Sequence, residues 1–341
     1  MLNAVYQLKK TRQFEMVFKD LEIDKEHVIV RPTHMSICNA DQRYYQGLRP
    51  KEVMKEKLPM ALIHEAVGTV VYDPTGTFEM GDFVVMIPNI PQEEDEIISE
   101  NYRKTSKFRA SGTDGFLQEY IAAKPDRVVL LPQGINPLVA AFTEIVSVSY
   151  HAIDRFCQTA HSRRNRIGVW GDGNVGYITS LLLKMMFPEI EVYVMGVNES
   201  KLHDFTFVDG TYLVNEIPDD FEIDHGFECV GGHAAHRVIN QIIDYINPEG
   251  TIAILGVTED PVPIHTRMIL EKGLRMIGSS RSGRVDFVNL IALYEKHPEM
   301  IDYLENIVGE QIVVREMKDI VRAFEKDIHK LIGKTIMVWE K

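Results

Sequence analysis

Cysteine and long apolar runs are both scarce in this sequence. Among 341 residues there are three cysteines, Cys38, Cys157 and Cys229. So few thiols cannot form a disulfide framework, which suits a reducing compartment. The most apolar stretch, LVAAFTEIVSVSYHAI, includes Glu144 and His151 and is too short to span a bilayer. The first twenty residues lack the apolar region of a signal peptide. We therefore expect a cytoplasmic protein that does not enter the membrane.

Positive charge is also in short supply. Lysine and arginine number 37 against 50 acidic residues, which gives a net charge of −13. This balance argues against a nucleic-acid partner, because phosphate backbones bind basic surfaces. Any anionic substrate must instead meet a local group of basic residues. The length favours two domains, and the 45% hydrophobic content is that of an ordinary globular protein.

The pattern of apolar runs changes near residue 140. Before it, short β-like runs such as HVIVRP, AVGTVVYD, GDFVVMIP and FLQEYIAA are cut by turn residues, which predicts a compact, mostly β domain of barrel type. After it, apolar strands alternate with helices, which is typical of a doubly wound parallel sheet. The final KTIMVWEK predicts a strand that returns to the first domain. We predict an α/β protein with one domain from residues 1–142 and 285–341 and another from 143–284.

A glycine-rich turn indicates the cofactor. RIGVWGDGNVGYITSLLL places a GxGxxG pattern between an apolar strand and an apolar helix, as in Rossmann-type domains. The first glycine makes the turn, the second lets the backbone approach a pyrophosphate, and the third allows close packing of helix and strand. The start of the helix then offers free N–H groups to the phosphates. We assign the whole turn to dinucleotide binding: Gly171, Asp172, Gly173, Asn174, Val175 and Gly176.

The next strand indicates which dinucleotide binds. NAD sites carry an acidic residue about 20 residues further on to hold the ribose 2′-hydroxyl. Here the strand EVYVMG ends in Gly196, and the first carboxylate is Glu199. Asn198, Ser200 and Lys201 offer donors and a positive charge to a 2′-phosphate. The alternative is that Asn198 simply caps a solvated helix. We predict NADP(H).

Three scattered segments suggest a metal site. Cys38 lies in SICNADQRYYQG, His64 and Glu65 lie in LPMALIHEAVGTV, and Glu144 lies in an apolar helix. A lone cysteine is usually a small buried hydrophobe. A carboxylate on an apolar face, however, needs a partner or a metal, because burying its charge is unfavourable. Thiolate, imidazole and carboxylate together are suitable zinc ligands.

These motifs resemble a known family. SICNAD, HEAVG, GDFVV, DGFLQEY, TEIVSVSYHA, GDGNVG, FECVGG and PEGTIAILGV follow the order of the medium-chain zinc-dependent alcohol and polyol dehydrogenases, and the set is similar to the sorbitol dehydrogenase branch. The resemblance implies a GroES-like catalytic domain and a Rossmann-type cofactor domain. It implies Cys38 and His64 as zinc ligands, with Glu65, Glu144 or both as acidic ligands. Asp41 matches an aspartate that orients a ligand. Family members form dimers or tetramers, so we expect a homodimer.

Departures from the family pattern concern the metal and the proton. The glycine that usually precedes the HE pair is Ile63 here. Residues 90–110 contain no cysteine, so we expect one catalytic zinc and no structural zinc. Ala40 and Arg43 occupy the positions of the family's proton relay, which leaves the proton donor open.

Three basic groups favour a phosphorylated substrate. They are DQRYYQGLRPK near the cysteine, YRKTSKFR, and SSRSGR. Arginine binds phosphate through two parallel hydrogen bonds. Each of these cations could alternatively be a solvated surface residue. We predict Arg43, Arg49 and Arg281 as the residues that hold the phosphate.

Within this family, four segments resemble those of the NADPH-dependent ribulose-5-phosphate reductases. They are DQRYYQG, LIHE, WGDGN and GSSRSG. That resemblance implies reduction of D-ribulose 5-phosphate to D-ribitol 5-phosphate. A cytidylyltransferase, which is a candidate partner, converts this product to CDP-ribitol for wall teichoic acid. Two alternatives stay open: a dehydrogenase of another polyol or sugar phosphate, and a non-catalytic NADPH-binding protein.

Overall fold

The chain folds into two units in the computed structural model, which describes residues 1–330 and 333–341. The first unit combines Met1–Ile145 with Ser282–Lys341, and the second is Val146–Arg281. No helix within the described residues has the length and apolar character needed to cross a membrane.

The amino-terminal part of the first unit is mostly short strands. They are β1 (Leu2–Lys10), β2 (Gln13–Asp20), β3 (Val28–Ser36), β4 (Met60–Ala61), β5 (Glu65–Tyr72), β6 (Phe83–Met86), β7 (Asn89–Ile90), β8 (Lys107–Phe108), β9 (Ile121–Ala123) and β10 (Val128–Leu130). Three short helices accompany them, namely α1 (Asn39–Tyr45), α2 (Lys51–Lys57) and α3 (Pro137–Ala140). Helix α4 (Thr143–Thr159) begins in this unit and ends in the second.

Strands and helices alternate through the second unit. They are β11 (Arg166–Trp170), α5 (Asn174–Met186), β12 (Glu191–Gly196), α6 (Glu199–Leu202), β13 (Gly210–Leu213), β14 (Ile223–Glu228), α7 (Ala235–Tyr245), β15 (Ile246–Ile254), α8 (Thr266–Lys272) and β16 (Arg275–Gly278). All of the strand pairs are parallel, in the order β13-β12-β11-β14-β15-β16. The strand order therefore reverses between β11 and β14, as in a Rossmann sheet.

The chain then returns to the first unit. This segment contains α9 (Arg284–Lys296), α10 (Glu299–Glu305), β17 (Val308–Val314), α11 (Met317–Ile328) and β18 (Lys334–Trp339). Strand β18 pairs antiparallel with β3, Val338 opposite His34, and parallel with β17. The predicted return of the last strand is confirmed.

The main sheet of the first unit positions its polar site. Its strands run β10-β6-β5-β3-β18-β17, with β9 also paired to β3. In the β3–β5 ladder Ser36 lies opposite Glu65. Cys38 follows the end of β3 by two residues and His64 directly precedes β5. The antiparallel register thus brings segments that are far apart in sequence to one edge of the sheet.

The predicted α/β class is confirmed, and one predicted strand is shorter than expected. FLQEYIAA forms a strand only over its last three residues. Before them the Phe116 and Leu117 N–H groups donate to the carbonyls of Ile63 and Leu62, at 2.7 and 3.2 Å. This stretch therefore pairs with the loop that carries His64 instead of extending β9.

Candidate metal centre and dinucleotide-binding turn

Cys38, His64 and Glu65 form a compact group of metal-binding side chains. One ligand atom from each lies within 4.8 Å of the other two. Cys38 is the residue before α1, His64 lies in the link from β4 to β5, and Glu65 opens β5. His64 and Glu65 are buried, and Cys38 is half-buried. The first unit alone therefore supplies all three side chains.

Asp41 connects the cysteine and the histidine. Its Oδ2 accepts the Cys38 N–H at 3.1 Å, and its Oδ1 accepts the Ile63 N–H at 3.0 Å. The same Oδ1 lies 3.4 Å from His64 Nδ1. A carboxylate on one ring nitrogen fixes the ring and leaves the other nitrogen, Nε2, for a metal.

Glu65 is held by a lysine that sequence reasoning missed. Lys334 Nζ, at the start of β18, donates to Glu65 Oε1 at 2.7 Å, and both side chains are at most 2% exposed. Burial would lower the pKa of Lys334, but the charges of Glu65 and Cys38 outweigh it and raise the pKa to about 12. The lysine is therefore a buried cation. Its signal in the sequence was a lysine opening the apolar run TIMVW, where a buried charge needs a partner.

The electrostatics of the group favour a cation. Burial disfavours a charged His64, yet the Asp41 and Cys38 charges raise its pKa well above the usual value. Burial raises the pKa of Glu144 to about 7; His64 and Lys334 oppose this shift, and Glu65 and Asp41 add to it. Glu144 thus belongs to the same electrostatic environment, although the compact group contains Glu65 and not Glu144. A divalent cation among these groups would stabilise the charged carboxylates.

The donor set fits zinc. A thiolate, an imidazole and a carboxylate are zinc ligands, and tetrahedral bonds of about 2.0–2.3 Å place ligand atoms roughly 3.5 Å apart. The observed limit of 4.8 Å needs only a small contraction to reach that spacing. Glu65 Oε2 is buried and has no hydrogen-bond partner within the described part of the chain. A buried carboxylate oxygen without a donor is what a bound cation would satisfy.

Ile63 has a backbone conformation that is rare for its residue type. Its φ is 71°, in the left-handed region where a β-branched residue is strained. The family's usual glycine at this position would adopt it freely. The conformation is held by the Ile63 N–H on Asp41 and by the Ile63 carbonyl, which accepts the Phe116 N–H at 2.7 Å.

The glycine-rich turn of the second unit has the expected geometry. Gly171 has a φ of +137°, and α5 begins directly after Gly173. A Cβ on Gly176 would lie 1.8 Å from the Gly171 carbonyl oxygen, so helix and strand pack too closely for any side chain. A Cβ on Gly173 would meet nothing within 4 Å, so this position faces open space. The turn fits a pyrophosphate at a helix start.

The end of β12 has no room for the acidic residue of NAD sites. A Cβ on Gly196 would lie 2.8 Å from the Cβ of Asp172. The Asp172 carboxylate accepts the N–H groups of Val197 and Asn198, both at 2.8 Å. Asp172 therefore fixes the turn that follows β12.

Asn198 caps α6. Its side-chain oxygen accepts the Ser200 and Lys201 N–H groups at 3.1 and 3.4 Å, and the Ser200 hydroxyl donates to it at 2.7 Å. The cap thus uses the Asn198 oxygen and the Ser200 hydroxyl proton. Lys201 contributes the positive charge of this segment.

The arginines of the three basic segments fall into two sets: those predicted to bind the substrate phosphate and those that bind backbone carbonyls. Arg43 and Arg49 lie close enough for their charges to interact, and the Arg49 guanidinium stacks 5.0 Å from the Tyr44 ring centre. Burial lowers the pKa of Arg43, and the charge of Arg49 lowers it further. Arg281 lies in the second unit, with a φ of 60°.

The other three arginines of the basic segments bind backbone carbonyls. Arg103 donates to the Ile98, Glu93 and Asp95 carbonyls, and Arg109 donates to those of Asp114 and Ala122. Arg284 donates to the carbonyls of Asp126 and Val128. These three guanidinium groups hold loops of the first unit.

The fold and the two sites define a class of protein. Residues 24–133 match the alcohol dehydrogenase GroES-like domain, and residues 182–296 match the zinc-binding dehydrogenase domain. The chain belongs to the zinc-binding alcohol dehydrogenase family, and the relatives that it matches over its full length include ribulose-5-phosphate reductases. The predicted resemblance is confirmed.

The relatives match from end to end. The chain is 53% identical over 340 residues to the ribulose-5-phosphate reductase of Bacillus spizizenii, covering 100% of both chains. It is 51% identical to ribulose-5-phosphate reductase 2 of Staphylococcus aureus, covering 99% of both. The crystal structure of S. aureus TarJ in complex with NADPH superposes with a TM-score of 0.90 at 45% identity, covering 100% of both chains.

Proposed function

We propose that this protein reduces D-ribulose 5-phosphate to D-ribitol 5-phosphate with NADPH in a zinc-dependent reaction. The observation that carries the proposal is the full-length 53% identity to a ribulose-5-phosphate reductase. The donor set of the first unit and the glycine turn of the second supply the two cofactor sites that such a reaction needs. The product would be converted by a cytidylyltransferase to CDP-ribitol for teichoic acid synthesis.

The metal would be held by Cys38, His64 and Glu65, with Glu144 as a further acidic candidate. When bound, zinc supplies Lewis-acid polarisation of a carbonyl, and NADPH supplies the hydride. Asp41 fixes the direction of His64 and the backbone of Cys38. Lys334 holds one oxygen of Glu65 and leaves the other oxygen available to the metal.

Lys334 also balances the charge of the centre. Cys38, Glu65, Glu144 and Asp41 can carry four negative charges in a region with little solvent. One buried ammonium offsets part of this charge without removing a ligand oxygen. With a divalent ion bound, the centre would keep a moderate net charge, which suits Lewis-acid polarisation of a neutral carbonyl.

The substrate phosphate would be bound by arginines, with Arg43 and Arg49 as first candidates and Arg281 as a third. Two guanidinium groups close together in the first unit repel each other, and an anion between them relieves that repulsion. Arg43 lies on α1, the helix that starts after Cys38. A phosphate fixed there would orient the sugar relative to the metal ligands.

The cofactor would bind with its pyrophosphate at residues 171–176. The open face of Gly173 allows the phosphates to approach the backbone at the start of α5. Lys201 would supply charge to the 2′-phosphate, together with the groups of Asn198 and Ser200 that the helix cap leaves available. NAD would gain nothing from this charge because it lacks the 2′-phosphate.

A substrate comparison tests the proposal. Purified protein with measured zinc content is assayed with NADPH on D-ribulose 5-phosphate and on D-ribulose, and with NADP⁺ on free ribitol. We expect efficient turnover only of the phosphate ester. Equal rates on both ketoses, or a preference for oxidising free ribitol, would indicate a polyol dehydrogenase. Bound NADPH with no turnover of any ketose would indicate a non-catalytic protein.

We also propose a homodimer formed through the sheet of the second unit. Within the described residues β16 has a strand neighbour on one side only. Leu270 exposes 80% of its surface in the same unit, more than an apolar side chain usually does. Sedimentation velocity of the wild type and of Leu270→Glu would test this, with a monomeric variant as the expected result.

The proposal places the reaction in the cytoplasm. All three cysteines are free thiols, and the thiolate needed at Cys38 survives in a reducing compartment. We further propose that the cytidylyltransferase that consumes the product binds this enzyme. Co-purification of the two proteins, each at native level, tests that association, and separate elution would contradict it.

A further inference from the structure

Glu228 is a buried carboxylate that has no part in the sites described so far. It is the last residue of β14 and is 0% exposed. Its Oε1 accepts the N–H groups of Val230 at 2.9 Å and Gly231 at 2.7 Å. Its Oε2 accepts the N–H of Gly256 at 3.0 Å. One side chain thus binds the loop after β14 and the loop after β15.

The two loops that Glu228 joins are in direct backbone contact. The Gly232 N–H donates to the Val257 carbonyl at 2.8 Å. A Cβ on Gly256 would lie 2.2 Å from the Gly231 nitrogen, and a Cβ on Gly231 would lie 2.7 Å from the Val257 nitrogen. Such close approach requires glycine on both sides. The carboxylate and the glycines together make one rigid structure of the two loops.

The two joined loops lie at the carboxyl edge of the sheet, beside the point where the strand order reverses. Residues 229–232 follow β14, which is the neighbour of β11. A Cβ on Gly171 would lie 3.0 Å from the Cys229 carbonyl oxygen, so the loop after β14 touches the pyrophosphate turn. In a sheet of this kind each half binds one mononucleotide of the cofactor. The half with β11 to β13 carries the glycine turn and Lys201, so the half with β14 to β16 is left for the nicotinamide.

We propose that Glu228 is a positioning residue for the nicotinamide half of NADPH. Its carboxylate fixes the loops after β14 and β15, which together form the surface for the nicotinamide ring. Val230 and Val257, on these loops, expose 44% and 66% of their surface and offer it apolar contact. Hydride transfer tolerates little misalignment, so the rigidity of this surface affects the rate as well as affinity. The proposal rests on the proposed function for the identity of the cofactor.

Binding measurements separate this role from a merely structural one. The variant Glu228→Gln keeps the shape but places an amide N–H₂ against at least one backbone N–H. Calorimetric titration with NADPH and with adenosine 2′,5′-bisphosphate, a probe of the adenine half, measures each half of the site. We expect NADPH to bind about 10- to 100-fold more weakly, which is the loss of hydrogen bonds to a charged group. The bisphosphate should bind within about twofold of the wild type, because the glycine turn is untouched.

Turnover and a conservative variant complete the test. The kcat with D-ribulose 5-phosphate should fall together with NADPH affinity, and the isotope effect with 4-deuterated NADPH should change. Glu228→Asp keeps the charge but is shorter, so it should recover part of both losses. Glu191→Gln, an exposed glutamate at the start of β12 paired with Arg166, is the matched control and should leave all values unchanged.

Two outcomes would overturn the assignment. Wild-type NADPH affinity in Glu228→Gln would show that the loops do not depend on the carboxylate. Equal weakening of NADPH and the bisphosphate would show that Glu228 supports the whole domain, and if Gln prevents folding the same comparison is made on Glu228→Asp. Because both titrations are made without a ketose, a wrong substrate assignment would change the turnover result and leave the binding result intact.

Discussion

The two cofactor sites differ in how they are encoded. The dinucleotide turn is six consecutive residues, three between β11 and α5 and three at the start of α5, so local chain geometry makes it. The metal centre joins residues 38, 64 and 65, and its lysine is 269 positions away from Glu65. A contiguous site depends on backbone conformation, whereas the assembled site depends on the pairing of β3 with β5 and with β18. The two sites should therefore fail independently, and for different reasons.

Removing the thiol should have the largest effect. We expect Cys38→Ala to lose zinc and to lower kcat on the order of 10³-fold, since one of three protein ligands and the carbonyl polarisation disappear. NADPH affinity and the circular dichroism spectrum should stay as in the wild type. Metal analysis and NADPH titration on the same sample check this. Retained zinc with near-normal activity would refute the ligand assignment.

Replacing the buried lysine should act on stability through a charge. In Lys334→Met the Glu65 carboxylate keeps its burial and loses its cation, which costs about 3–5 kcal/mol in a buried pair. The loss should be larger in chelator-treated protein than in zinc-loaded protein, because the metal also neutralises Glu65. Urea unfolding with and without chelator measures both.

A matched lysine controls for the loss of charge itself. Lys318 pairs with Glu316 at the surface, 74% exposed, and Lys318→Met should change unfolding little. Equal destabilisation of the zinc-loaded and zinc-free forms of Lys334→Met would mean that Lys334 acts by packing and not on Glu65.

The substrate side of the metal-bearing unit can be tested at Arg43. Loss of a charge-assisted bidentate contact costs about 2–3 kcal/mol, so Arg43→Ala should lower kcat/KM for D-ribulose 5-phosphate roughly 30- to 150-fold. Lysine should recover only part of this, because it lacks the planar fork. Free D-ribulose should be much less affected. Equal losses on both ketoses would remove Arg43 as the phosphate ligand and shift the role to Arg49 or Arg281.

The dinucleotide site of the second unit can be tested at Gly173, where an added methyl group should not affect the stability of the protein. A Cβ on Gly173 meets nothing within 4 Å, so Gly173→Ala should leave the unfolding temperature unchanged. It should nevertheless weaken NADPH binding by about 10- to 100-fold, because the methyl group occupies the space of the pyrophosphate. Zinc content should not change. A lower zinc content in this variant would contradict the independence of the two sites.

The sequence predicts the dinucleotide turn better than the metal centre, because the turn is contiguous and the metal centre is assembled by strand pairing. The GxGxxG spacing predicts the close approach of Gly176 to the Gly171 carbonyl, since the two residues are close in sequence, whereas the contact of Gly171 with Cys229 depends on the pairing of β11 with β14. Cys38, His64 and Glu65 could be proposed only because their residue types suit zinc, and their proximity follows from strand register that no local pattern contains. Lys334 was missed because a lysine at the start of an apolar strand is usually exposed. The left-handed backbone conformation of Ile63 was also not predicted, although the glycine that the family usually has at this position indicated it.

Cofactor preference should show the smallest effect, and the structure decides which residue tests it. An acid introduced at Gly196 would collide with Asp172, whose carboxylate binds the N–H groups of Val197 and Asn198, so Gly196→Asp would disturb the turn as well as the charge. Lys201→Ala removes only charge, because the cap of α6 uses the Lys201 backbone N–H and not its side chain. We expect KM for NADPH to rise about 5- to 10-fold, as for one partly exposed charge on a phosphate, and KM for NADH to stay unchanged. Steady-state kinetics with both cofactors measures the ratio. Parallel changes for NADPH and NADH would mean that the 2′-phosphate is bound elsewhere in the second unit.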